Sequence, residues 1–257
     1  MDVFNVSNLL IQANFFLDHI QIFDLNANHS DVVQIEHDPS NNVVIDSNYV
    51  VQMTSPSLFW PAAGMGPQYI NDLHGFNDFA HAAFSTGIVV TNNVVISNAS
   101  DGISFDAPGT IITGNTVVGN TNLSGNSWIM ATGAGSVIRN NIMNLLAANA
   151  AGVIADHNIA NTQIQIGGAF YNEASYAGQT ISGNYMDGAQ FTDVFNNFDP
   201  WNFKFDVSLV AGAGNPAIGT GATITGPAYD VAGTLRTTPF DIGAYAASSG
   251  VVSVPSK

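Results

Sequence analysis

Seven short segments of this chain share one pattern: an apolar, mostly β-branched residue sits three positions before an asparagine, and apolar residues resume after it. They are LLIQANFF (9–16), VVIDSNYVV (43–51), IVVTNNVVI (88–96), TIITGNTVV (110–118), SVIRNNIMN (136–144), TISGNYMD (180–187) and, shifted by one residue, GVIADHNIA (152–160). The aligned asparagines are Asn14, Asn48, Asn93, Asn115, Asn141 and Asn184, with Asn158 near the shifted copy; Asn93, Asn115 and Asn141 lie 22 and 26 residues apart. Strands this short, at this spacing and with no sustained helical period, predict an all-β fold, a right-handed parallel β-helix in which each coil adds one strand to each of three sheets. An asparagine at the same turn of successive coils can hydrogen-bond to its copies above and below, and asparagine tolerates the left-handed backbone of such turns. The enrichment is therefore expected to be structural. A β-sandwich would instead call for hairpin turns and no asparagine column.

A second strand precedes the asparagine strand in each coil. DGISFDAPGTIITGN (101–115) shows it most clearly, and DVVQIEHDPSNNVVIDSN (31–48) has the same form. The pairing matches Asp31 with Asp101, Val33 with Ile103, Ile35 with Phe105 and Glu36 with Asp106. Alternation then turns Val33, Ile35, Ile103 and Phe105 inward and leaves Gln34, Glu36, Ser104 and Asp106 outward on one sheet. SWIMATGAG (127–135) continues that sheet, with Met130 and Thr132 outward. The gap from Asn48 to Asn93 is 45 residues, about twenty too many for one coil. The surplus, 53–78, is rich in Pro, Gly and aromatics and reads as a projecting loop, followed by a strand FAHAAF at 79–84. The expected organisation is β-helix coils over 1–198 and a C-terminal capping segment and tail over 199–257.

Charge narrows the partners. Four Lys and Arg stand against nineteen Asp and Glu, a formal charge of −15. Such a surface repels nucleic acid and anionic membranes, and no apolar run is long enough to span a bilayer. It also repels acidic glycans unless cations bridge the two. The absence of cysteine excludes disulfides and thiolate metal sites while leaving secretion open. MDVFNVSNLL has no secretory leader pattern and reads as the middle of a repeat, so an upstream part of the protein, or a homo-oligomeric partner, is expected to cover that edge.

Two segments resemble secreted bacterial β-helix proteins of the pectate-lyase-like group: the H-x-D-x-x-Q stretch His29, Asp31, Gln34, and the ending NPAIGTGATITGPAYDVAGTLRTTPFDIGAYA (215–246). In this ending, Asn215 and Ala246 replace the usual Ser and Glu. The resemblance implies an extracellular, polysaccharide-active protein, most simply a lyase or depolymerase that acts on an acidic glycan by β-elimination, with Ca²⁺ as a possible cofactor. Because the superfold hosts many activities, two alternatives stay open. One is an inverting glycosidase using Glu36 and Asp106, whose backbones would lie about 9–10 Å apart, two strand steps. The other is a non-catalytic glycan-binding or structural β-helix.

The lyases of this group often use Lys or Arg as base. Here Arg236, with Asp230 and Asp241, is expected to form ion pairs in the cap, and Arg139 is the basic residue nearest the candidate face. Histidine, whose pKa suits neutral pH, is the more available base. The catalytic candidates are His29, Glu36, His81, Asp106 and Arg139, with His81 on the strand between the Glu36 and Asp106 coils. Gln34, Trp60, Tyr69, His74 and Ser104 are candidates for substrate binding, with His74 in the insertion above that strand. Asp31 and Asp38 are the hard oxygen ligands that would suit Ca²⁺. His37 is read as an exposed turn residue, and His19 and His157 as structural.

Overall fold

The computed structural model describes residues 1–3, 5–17, 30–36, 39–52, 73–79, 85–97, 101–119, 127–172, 180–181, 183–186, 191–199, 204–212, 214–224 and 229–247. Among them the chain is all-β, built of parallel sheets, with no helix. Parallel pairing joins every third strand into stacks. The first stack is β1 (Asp2–Val3), β4 (Ser30–Glu36), β7 (Leu73–Phe79), β10 (Asp101–Phe105) and β13 (Trp128–Ala131). The second is β2 (Ser7–Gln12), β5 (Asn41–Asp46), β8 (Val89–Thr91), β11 (Ile111–Thr113), β14 (Val137–Arg139) and β16 (Ile154–Asp156). The third is β3 (Phe15–Leu17), β6 (Tyr49–Gln52), β9 (Val94–Ser97) and β12 (Thr116–Val118).

Two longer strands, β15 (Ile142–Ala148) and β17 (Ile159–Ile166), belong to both outer stacks. Ile142 and Met143 pair with β12, while Leu145 to Ala148 pair with β13. This joins the first and third stacks into one 14-stranded sheet facing the six-stranded second stack. That sheet also takes in β18 (Ala169–Asn172), β19 (Thr180–Ile181) and β20 (Asn184–Met186), and a hairpin of β21 (Phe195–Asp199) and β22 (Lys204–Leu209) stands apart. Between the stacks lies a core of mostly aliphatic side chains, including Val33, Ile45, Val50, Phe76, Val90, Val95, Ile103, Ile112, Val117 and Ile138.

The asparagine column is continuous. Each Nδ2 donates to the next Oδ1, from Asn14 through Asn48, Asn93, Asn115, Asn141 and Asn158 to Asn184, at 2.7 to 3.0 Å. The same Oδ1 also accepts the backbone N–H of the asparagine before it. From Asn48 onward, Nδ2 also donates to a carbonyl of the preceding unit, Ile11 for Asn48 and Val90 for Asn115. Each internal amide is thus fully used at a turn buried between the second and third stacks. The left-handed residue is not the ladder asparagine, as expected, but the one before it: Ala13, Ser47, Asn92, Gly114, Asn140, His157 and Gly183 have φ from 52° to 80°. The ladder asparagine follows this kink, which aims its amide along the stack.

The C-terminal segment lies along the flank of the stacks. Phe191, Val194, Phe195, Val207, Leu209, Ala217, Ile242, Ala244 and Tyr245 pack against the outward residues of the third stack, Tyr49, Val51, Val94, Ile96, Val118, Ile142 and Ile159. That is why third-stack strands are apolar on both faces. Arg236 is buried and donates to Asn92 Oδ1 and to the carbonyls of Asp241, Gly243 and Ala244. Asp230 and Asp241 were expected to form ion pairs with Arg236. They instead accept backbone N–H groups, from Ala232, Thr234 and Ala246, and from Gly219 and Ala247. Their charge still favours the Arg236 cation, against the larger opposing effect of burial.

Removing an internal ladder amide takes the acceptor from the buried backbone N–H and Nδ2 of the asparagine before it and a donor from the Oδ1 of the one after it. Asn115→Ala is therefore expected to lose about 3 kcal/mol or more, whereas Asn14→Ala, at the exposed end, loses about 1 kcal/mol or less. Urea denaturation of the two variants checks the contrast.

Candidate functional site

The first stack carries a polar outer face, and a local irregularity shapes it. Val32 and Val33 are both core residues. In the neighbouring strands the equivalent pairs are Gly75–Phe76 and Gly102–Ile103. A Cβ on Gly102 would overlap Val117 Cγ1, and one on Gly75 would overlap the Gly102 carbonyl and crowd Val95. Two successive inward residues shift the alternation. Residues on either side of the pair, Asp31 and Gln34 or His74 and Asn77, therefore share the outer face.

Register brings these side chains together. Asp31 lies opposite His74, and Gln34, Asn77 and Ser104 form one row. Asn77 Nδ2 donates to Asp31 Oδ1 and lies 2.9 Å from His74 Nδ1, while His74 Nδ1 lies 3.3 Å from Asp31 Oδ1. All five residues have little exposure: His74 retains 8%, Ser104 7%, Gln34 3% and Asn77 1%, and the Asp31 side chain 4%. Asn77 Oδ1 is buried and has no hydrogen-bond partner among the described residues. Two tautomers of His74 are compatible with this geometry. With its proton on Nδ1 the ring donates to Asp31 and keeps Nε2 as the basic nitrogen. With its proton on Nε2 it accepts from Asn77. Uptake of a second proton gives an imidazolium held against the Asp31 carboxylate.

The strand between β4 and β10 is β7, Leu73–Phe79, not FAHAAF at 79–84. The expected insertion at 53–78 therefore gives up its last residues to the sheet, and His74 is the histidine on the middle strand. His81 lies outside the described residues, as do His29, Asp38, Trp60 and Tyr69. A signal for β7 exists in the sequence: HGFND (74–78) and DGISF (101–105) share the glycine before the inward aromatic or aliphatic residue. Asn77 and Asp78 masked it by interrupting the apolar alternation.

Glu36 ends β4, opposite Phe79, and its side chain is outside what is described. Asp106 follows β10, is exposed and accepts a hydrogen bond from Thr132. Arg139 is on the second stack, in register with Thr113 and Asp156, away from the His74 face. It grips Asp156 through Nε at 2.5 Å and Nη2 at 2.6 Å. Burial pushes the Asp156 carboxyl up, but the hydrogen bonds from Arg139 and His157 outweigh it and hold the group below the usual carboxylate range.

Calcium needs six to eight oxygens. Asp31 is the only described residue of the expected pair, and its Oδ1 is engaged by Asn77. Among the described residues no group of three or more His, Asp and Glu gathers. The chain matches no family model, no curated protein and no solved structure.

One carboxylate, Asp78, serves as a structural device. Asp78 pairs with Ile35, a core position, and is 4% exposed. Its oxygens accept the N–H groups of Asp106 and Ala107, tying β7 to the turn after β10. Burial pushes its pKa up to about 7, against the lowering effect of those two bonds. An unfolded Asp loses its proton near pH ~3.9, so the folded chain binds one more proton between about pH 4 and 7, and stability falls as pH rises through that window. The Tm of the native chain relative to Asp78→Asn should drop across this interval and level off above about pH 7. Parallel curves would show that Asp78 makes no such contribution.

Proposed function

We propose that this chain is a right-handed parallel β-helix that cleaves an acidic polysaccharide by β-elimination on the outer face of its first stack. The solenoid reading is supported by the pairing of every third strand and by the unbroken asparagine column. The observation that carries the activity is the Asp31–His74 pair, set in a row of amide and hydroxyl side chains on one sheet face. The row offers the amide, hydroxyl and imidazole groups that hold a hydroxyl-rich ligand, and an extracellular setting goes with a glycan substrate. The net charge of −15 opposes an acidic chain, but at ordinary ionic strength screening confines that repulsion to about 8–10 Å.

In this reading Asp31 selects the tautomer of His74 with its proton on Nδ1, and Nε2 removes the proton next to the uronate carboxylate. The electron pair left on that carbon forms the new C=C bond as the adjacent C–O bond to the leaving sugar breaks, and the leaving oxygen takes up a proton. The carboxylate carries charge in the transition state. Gln34, Asn77 and Ser104 supply N–H and O–H donors to it.

The test is a panel of acidic and neutral polysaccharides, scored for ultraviolet absorbance of unsaturated product and for reducing ends. An acidic glycan is expected to yield absorbing product, and His74→Gln to slow its release by about a hundredfold or more with Tm retained. Asp31→Asn is expected to slow it less. Reducing ends without absorbance would point to hydrolysis, with Asp106 the residue to replace next. No shortening of any glycan would leave a binding or structural β-helix.

A further inference from the structure

The residue before each ladder asparagine forms a second column on the flank of the stacks. Two of its members hold the C-terminal segment: Asn92 donates to the Tyr229 carbonyl and accepts from Arg236, and Asn140 exchanges two hydrogen bonds with Ala222. One step further along, the column changes character. His157 turns to its neighbour Asp156, with Nδ1 3.0 Å from Oδ1, and Asp156 is the carboxylate gripped by Arg139. Here, among the described residues, the C-terminal segment borders a cleft of about 330 Å³ lined by His157, Gly183, Tyr185, Pro216, Thr220 and Ile242.

Several features make the cleft look built. His157 shares the left-handed backbone of its column, φ 52°. Gly183 makes room for the ring, since a Cβ there would sit 3.3 Å from His157 Nδ1. The Arg139–Asp156 pair fixes the acceptor for Nδ1–H, so Nε2 remains as a hydrogen-bond acceptor on a ring that lines the cleft. The Thr220 hydroxyl donates to the Pro216 carbonyl and keeps its oxygen as an acceptor.

We propose that this cleft binds a single neutral sugar unit. Its volume is at the small end of the range for ligand pockets, about 300–1,000 Å³, enough for one ring. The Tyr185 ring, with Ile242 and Pro216, offers the apolar surface that the C–H face of a pyranose covers. Nε2 of His157 and Oγ1 of Thr220 accept its hydroxyls. No Lys or Arg lines the cleft to hold an anion, and a cation is disfavoured by the pairing of Asp156 with Arg139. The site is on a different face from His74 and does not depend on the reading of that histidine.

The probes are the methyl glycosides of glucose, galactose and mannose, with glucuronic acid as the charged comparison, titrated into the whole chain. The readouts are the NMR signals of the His157 and Tyr185 rings. At least one neutral glycoside is expected to move both sets of signals saturably, with glucuronic acid binding about tenfold more weakly. His157→Ala is expected to fold, because Ala13 occupies the same left-handed position in the first unit. It should weaken binding, read at Tyr185, by about tenfold, the loss of one buried hydrogen bond. Thr220→Val, remote from the ladder, should weaken it similarly. Absence of a saturable response to every glycoside, equal binding by both variants, or tighter binding of glucuronic acid would each overturn the proposal.

Discussion

The asparagine ladder is the constraint on which the other features rest. Each amide donates along the stack and accepts from the amide and the backbone N–H of the asparagine before it, so all three stacks must stay in step at this turn. A slip of one residue would send the apolar set of a strand to the wrong face and break the column as well. Elsewhere the chain is free to vary. Successive ladder asparagines are 34, 45, 22, 26, 17 and 26 residues apart, and the turn is the same each time. Length differences fall elsewhere in each unit, since this turn keeps the same left-handed geometry each time.

The two flanks of the first–third sheet have opposite fates. The third stack is apolar outside as well as inside, because the C-terminal segment covers it and is pinned there by Asn92, Asn140 and Arg236. The first stack keeps polar side chains outward. Its paired inward residues, Val32–Val33, Gly75–Phe76 and Gly102–Ile103, bring side chains three positions apart onto one face. That is how His74 and Asn77, which simple alternation would separate, both reach Asp31.

The ladder and the inward residues of β4 and β10 were legible in the chain because they recur at a period. β7 was not. Its inward residues include a glycine, required by the neighbouring strand, and an aspartate, sustained by two backbone N–H groups, so its apolar pattern is nearly erased. The apolar pattern that remains puts the strand six residues late, at 79–84, and points to His81 in place of His74. From the sequence Arg139 is a cation available to substrate, whereas in the fold it is held by Asp156. Its partner Asp156 belongs to the next unit, reached by the shortest interval in the ladder, and no local pattern links the two.

Periodicity in the chain was sufficient for the parallel all-β class, the identity of the seven ladder residues and the inward set, since each follows from a repeated local geometry. The grouping of Asp31, His74 and Asn77, the pairing of Arg139 with Asp156 and His157, and the route of the C-terminal segment along the flank came only with the folded chain. These contacts join residues far apart in sequence, and they are set by which side chains fit between neighbouring strands. A pattern along one strand carries no record of that.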